Sequence, residues 1–274
     1  MMLEVACIQY DPRVGDKTYN VEHSLKLIGE AASQGAKLIV LPELCNSGYV
    51  FNDREEAYSL SEPIPEGDTT QAWTEAARKH DVYIAAGINE RDNDKLYNSV
   101  VLTGPQGYVG TYRKVHLWNK EKLFFEPGDA KNPVFHTPVG RIGILNCYDV
   151  WFPESFRTCA LNGAEIVAVP TNWVPMPEQK KEDLPMAVHL CMANAHSNGV
   201  FVAAADRIGT ERGQSFLGHS VIIEPSGRPI SGPASQDLEE IVYGSCDLSK
   251  ATLSRTVSER NHVLHDRREE LYEL

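Results

Sequence analysis

The sequence predicts an α/β protein with helices layered around sheets, on three observations. Short segments that are almost wholly apolar, such as Leu38-Ile39-Val40-Leu41, Ile166-Val167-Ala168-Val169 and Val200–Ala205, alternate with segments whose apolar residues recur at helical spacing. Strands without a polar face have to be covered on both sides, which calls for flanking helices. The length of 274 residues is enough to bury a large core and lies within the range of one α/β domain, so residues 1–274 are expected to form a single unit.

The elements follow in order. Val5 to Gln9 is a short apolar strand; Val21, Leu25, Ile28 and Ala32 then share one helix face, and Gly35 closes that helix. Lys37 to Glu43 is a buried strand ending at a carboxylate. Thr69 or Thr70 is placed to cap a helix running to His80, and Val82 to Gly87 is the next strand. Pro105-Gln106-Gly107 turns Ser99–Thr103 back into Tyr108–Tyr112 as a hairpin. Gly140 to Asn146 is a strand, and Pro153 opens a helix through Ala160. Glu165–Pro170 is a strand, Met186–Ser197 a long helix and Val200–Ala205 a strand; Ser220–Glu224 and Ile241–Asp247 are strands on either side of the turn Pro225-Ser226-Gly227.

Composition narrows the function. A formal charge of −12 argues against nucleic acid and anionic membrane surfaces as partners and leaves a small molecule as the expected one. No apolar stretch is long enough to span a membrane, and Met1-Met2-Leu3-Glu4-Val5-Ala6-Cys7 begins a strand rather than a basic leader, so a cytoplasmic protein is expected. The six cysteines are then read as reduced. No Cys or His spacing suggests a metal, and no cofactor is expected.

Glu43, Lys114 and Cys147 each follow a segment that reads as a strand, and carboxyl ends of strands are where α/β sheets bind ligands. Their chemistry is complementary. A carboxylate can take a thiol proton, a thiolate can attack an electrophilic carbon, and an ammonium can stabilise the charge that develops on the attacked oxygen or nitrogen. Cys147 is expected on an exposed turn facing a helix N-terminus, where the helix dipole favours its thiolate.

Leu41-Pro42-Glu43, Tyr112-Arg113-Lys114-Val115-His116-Leu117 and Asn146-Cys147-Tyr148-Asp149 followed by Trp151-Phe152-Pro153-Glu154 resemble, in order and spacing, the three motifs of the carbon–nitrogen hydrolase (nitrilase) superfamily. Pro127-Gly128-Asp129, Ala205-Asp206-Arg207-Ile208-Gly209 and Asp266-Arg267-Arg268 add to the likeness, which covers nearly the whole chain. The resemblance implies a four-layer α-β-β-α sandwich, Glu43 as general base, Lys114 as oxyanion stabiliser, Cys147 as nucleophile and Glu121 as a second supporting glutamate. The Lys120-Glu121-Lys122 run would also suit an exposed turn. Asn146 departs from the family, in which many members carry an apolar residue there. The stretch from Cys147 to Glu154 and the terminal Asp-Arg-Arg motif look nearest to the branch that holds small-amide amidases, N-carbamoyl amine hydrolases and some archaeal-type aliphatic nitrilases, and Tyr148, where aromatic nitrilases usually carry tryptophan, lowers the nitrilase reading. The expected reaction is therefore hydrolysis of a small linear amide or carbamoyl amine through a thioester, with nitrile hydrolysis second and a catalytically dead binding homologue third.

Tyr49, Tyr148, Asn172 and Trp173 are the candidate substrate contacts, with Asn172 and Trp173 favoured by their loop position after a strand. Tyr49, Trp118 and Trp151 read equally well as core. Cys45 borders Glu43 without a strand-to-helix setting, and His116 is expected to be a structural hydrogen-bonding residue rather than half of a Cys–His dyad. The resemblance also implies a homodimer or larger even assembly, with the tail 264–274 reaching over the partner.

Overall fold

The computed structural model describes residues 2–129, 133–180 and 182–272. Its first sheet is built from β1 (Met2–Gln9), β2 (Leu38–Val40), β3 (Tyr83–Asp92), β4 (Lys95–Gly104) and β5 (Gly107–Arg113). The second takes β6 (Val134–Thr137), β7 (Gly140–Ile144), β8 (Ile166–Pro170) and β9 (Phe201–Ala205). A small hairpin, β10 (Thr210–Glu211) and β11 (Gln214–Ser215), precedes β12 (Val221–Ile223), β13 (Pro229–Ser231) and β14 (Glu240–Asp247). The α-helices among the described residues are α1 (Lys17–Ser33), α2 (Arg54–Ser59), α3 (Asp68–His80), α4 (Pro153–Leu161), α5 (Met186–Asn198) and the short α6 (Ser249–Leu253).

The sheets run β14-β1-β2-β3-β4-β5 and β13-β12-β9-β8-β7-β6. Each has a parallel centre, β1-β2-β3 in one and β7-β8-β9 in the other, with antiparallel strands outside it. Strand alternation explains the layers. In the first sheet Leu3, Val5, Cys7, Leu38 and Val40 face the second sheet, while Ala6, Ile8, Ile39 and Leu41 face α1 and α3 through Leu27, Ile28, Trp73 and Ala77. Phe156, Cys159, Val188, Cys191 and Ala195 of α4 and α5 cover the second sheet from outside. The result is the α-β-β-α sandwich that the motifs implied.

Several local expectations change. The helix to His80 begins at Asp68 with Gly67 as its cap, because Thr69 gives its N–H and hydroxyl to Glu62, whose carboxylate does the capping from outside the helix at 2.8 and 2.6 Å. The Pro225-Ser226-Gly227 turn leads from β12 into β13, a strand too short to announce itself. β14 then returns to the first sheet and pairs antiparallel with β1 along its length, from Met2↔Asp247 to Gln9↔Glu240. A turn signal shows that the chain reverses but not which strand it meets next.

Candidate active site

Two glycines set the carboxylate and lysine segments. After β2 the chain stays beside β3, with the Leu41 N–H on the Ala85 carbonyl at 2.9 Å, and a Cβ at Gly87 would fall 2.4 Å from the Glu43 Cα. Only glycine lets the two backbones approach so closely. Lys114 follows β5, held by its N–H on the Asn98 carbonyl at 2.9 Å and by the Gly128 N–H on its own carbonyl at 2.8 Å. A Cβ at Gly128 would come 2.1 Å from the Arg113 carbonyl oxygen, which gives the Pro127-Gly128-Asp129 segment a steric reason.

Lys114 is fully buried between two carboxylates, its Nζ 2.6 Å from Glu43 Oε1 and 2.8 Å from Glu121 Oε1. Burial alone would lower its pKa, but Glu121 and Glu43 beside it raise it, so it stays an ammonium. An ammonium has three donors and these ion pairs occupy two. Glu43 Oε1 also accepts from Asn98 Nδ2 at 2.7 Å, whereas Oε2 is buried with no partner among the described residues. Burial raises the Glu43 pKa to about 7 against the pull of Lys114. Glu121 is 4% exposed, which removes the exposed-turn reading; its Oε1 also accepts from the Tyr49 hydroxyl at 2.6 Å and its Oε2 from the Trp118 N–H at 3.1 Å.

Cys147 corrects the expectation of an exposed thiolate. It is 7% exposed, and it opens a 3₁₀ helix, Cys147–Trp151, that intervenes before α4. Burial first, then the charge of Glu43, push its pKa well above the ordinary value, with Lys114 opposing. The resting thiol keeps its proton. Its φ of 46° lies in the left-handed region, unusual for a residue with a side chain and of the kind that clusters at functional sites.

Asp149, buried one turn on, ties the lysine and cysteine segments together. Its Oδ2 accepts from the Tyr112 hydroxyl at 2.8 Å and the Asn146 N–H at 3.0 Å, while its Oδ1 meets the His116 N–H at 3.1 Å and His116 Nδ1 at 2.7 Å. His116 therefore serves this brace. Asn146 has a use as well: its Nδ2 donates to Asn98 Oδ1 at 2.9 Å, and Asn98 in turn holds Glu43. Nothing in the local pattern marks Asn98, mid-strand in β4, as a member of the site, and the motif that contains Asp149 does not reveal that it braces two segments.

The candidate substrate contacts divide between two adjoining spaces that share Trp118 and Val174. Cys147, Tyr148, Asn172, Trp173 and Trp151 line a tight chamber of about 20 Å³, while Tyr49, Phe51, Glu121, Phe125 and Arg212 line a cavity of about 270 Å³. Asn172 Nδ2 donates to the Glu43 carbonyl at 3.0 Å, so this residue also braces the Glu43 segment. Tyr49 gives its hydroxyl to Glu121 and lines the cavity with its ring.

Against known proteins, the carbon–nitrogen hydrolase family pattern matches residues 4–256. The chain belongs to that family. As a carbon–nitrogen hydrolase it is 42% identical over 271 residues to a nitrilase of Pyrococcus abyssi, covering 99% of each chain. It is 31% identical to an N-carbamoylputrescine amidase of Solanum lycopersicum, over 100% of this chain and 94% of the other. A carbon–nitrogen hydrolase of Helicobacter pylori G27 has the same fold, with a TM-score of 0.89 at 28% identity over 99% of this chain and 97% of that one. Among the described residues of this hydrolase no helix is long and apolar enough to cross a membrane.

Proposed function

We propose that this carbon–nitrogen hydrolase cleaves a small linear amide or carbamoyl amine through a thioester on Cys147. The observation that carries the proposal is a buried carboxylate with one oxygen unpartnered and a raised pKa, set with a lysine ammonium around a protonated thiol that lines a chamber. Glu43 takes the thiol proton as sulfur bonds to the carbonyl carbon, and the carbonyl pair moves onto oxygen. That oxyanion meets the remaining donor of Lys114 and the N–H of Tyr148, which lies in the first turn of the 3₁₀ helix where N–H groups lack intrahelical acceptors. The pair returns, the C–N bond breaks, and Glu43 delivers its proton to the leaving nitrogen, releasing ammonia or an amine. Water then attacks the thioester while Glu43 takes a proton from it; the C–S bond breaks, the thiol regains a proton and the acid leaves.

Hydrolysis of an aliphatic nitrile is the second reading, favoured by the 42% identity to the Pyrococcus abyssi nitrilase. The same residues would form a thioimidate, and addition of water would give the thioester with loss of ammonia. Ammonia release from a panel of small amides, carbamoyl amines and aliphatic nitriles separates the two, and intact mass should show an acyl adduct on the wild type but not on Cys147→Ala. An adduct on Cys45, or turnover by Cys147→Ala, would overturn the assignment.

The chain is read as one domain whose free cysteines suit the cytoplasm, and as at least a twofold dimer. Support for the dimer comes from the groove between α4, α5 and the tail, beside which Leu161, Leu271 and Tyr272 are exposed apolar groups. Leu264, also expected in the tail contact, is instead buried in the chain's own core, and Leu274 lies outside the described residues. Light scattering that finds a monomer at micromolar concentration removes this part of the proposal.

A further inference from the structure

The second glutamate is held through Tyr49 by a chain of contacts that begins at the far wall of the cavity. Glu211 ends β10, in the hairpin that walls the larger cavity through Arg212, Gly213 and Gln214, and it is 5% exposed. Its Oε1 accepts two backbone N–H groups, those of Tyr49 at 2.8 Å and of Val50. Its Oε2 accepts from Arg207 Nη1 at 2.7 Å. Arg207 is 1% exposed and is itself fixed by Asp11 Oδ1 at 2.6 Å and the Pro12 carbonyl at 2.7 Å, with its guanidinium 4.1 Å over the ring of Phe216. Tyr49 meets that same ring in a T-shaped contact, at 5.9 Å between centroids. The Tyr49 hydroxyl then reaches Glu121 Oε1, the oxygen that also holds Lys114. Burial and the neighbouring charge of Glu121 raise the Tyr49 pKa well above its ordinary value, so the phenol remains a donor.

We infer that Glu211, anchored by Arg207, is a positioning residue that acts through Tyr49 to aim Glu121, and so links the cavity wall to the reacting end of the site. An ion pair that only stabilised the fold would need one oxygen of Glu211. The other oxygen is committed to the backbone of the residue whose side chain reaches Glu121. Substrate groups that press on the hairpin bear on the same carboxylate, so binding energy gained far from the scissile bond appears in turnover rather than in affinity.

The inference rests on the proposed function and predicts a coupling that the function alone does not. Glu211→Gln places an amide donor against either the two N–H groups or the guanidinium, and Tyr49→Phe removes the hydroxyl. Each is expected to lower kcat about tenfold with little change in KM, and the double variant to be no slower than the slower single one. Glu211→Asp keeps the charge on Arg207 but retracts the carboxylate by one methylene; it should show the same non-additivity and serves if the Gln variant does not fold. Losses that multiply to about a hundredfold in the double variant, or an unchanged kcat in the Glu211 variants, overturn the inference while the wild type's turnover upholds the function. A wild type that turns over nothing in the panel removes both.

Discussion

Two cysteines sit in turns at the carboxyl ends of parallel strands, Cys45 after β2 and Cys147 after β7, and both are buried. Burial pushes the Cys45 thiol up to about 12; its Sγ donates to the Gly87 carbonyl at 3.3 Å and Tyr10 packs beside it. The Cys147 thiol is raised too, but it shares its surroundings with a carboxylate that has a free oxygen and with a fixed ammonium. Neither thiol is acidic at rest. What separates them is a place for the proton to go and a place for a substrate carbon to stand.

The largest expected difference is between their alanine variants. Cys147→Ala should lower turnover by at least about 10⁴-fold with the melting temperature kept, whereas Cys45→Ala should keep turnover and lose about 1 kcal/mol of stability, read by denaturant titration. Equal losses of activity would end the comparison. Glu43→Gln should lower turnover about 10³-fold and also slow alkylation of Cys147 by iodoacetamide, since the proton then has no acceptor. An alkylation rate unchanged by that substitution would mean that Cys147 ionises without Glu43.

Glu121→Gln should lower kcat about 10²-fold while raising KM much less, because the isostere keeps the packing and loses the charge beside Lys114. A pH profile sharpens the same contrast. Glu43 accepts a proton only when ionised, and its ionised fraction rises through about pH 7, so kcat/KM should climb with pH up to that point and level above it. A limb near pH 4 would show that Lys114 outweighs burial. The smallest effect belongs to Asn146→Ala, which takes the donor from Asn98 and should lower kcat about fivefold, measured on any substrate the panel identifies.

The departure at Asn146 shows how far local pattern carries. Read along the chain it is only an unusual residue before Cys147; in the fold it supports Asn98, and Asn98 supports Glu43. Thr69 and Thr70 look like caps for the same reason that β14 looks like a partner of its sequence neighbours. Cap propensity and turn signals describe a few residues, while Glu62 and β1 reach those places from elsewhere in the chain.

The sequence by itself determined the alternation of strands and helices, the covered character of the sheets and the family, because periodicity and motif order are properties of short segments. It also put Glu43, Lys114 and Cys147 at strand ends. Tertiary structure alone decided that Glu43 and Lys114, 71 positions apart, pair in a buried interior, that the thiol is buried, and that Glu211 grips a backbone 162 residues away. Hydrogen-bond partners and desolvation depend on which segments the packed core brings together, and no local pattern encodes that choice.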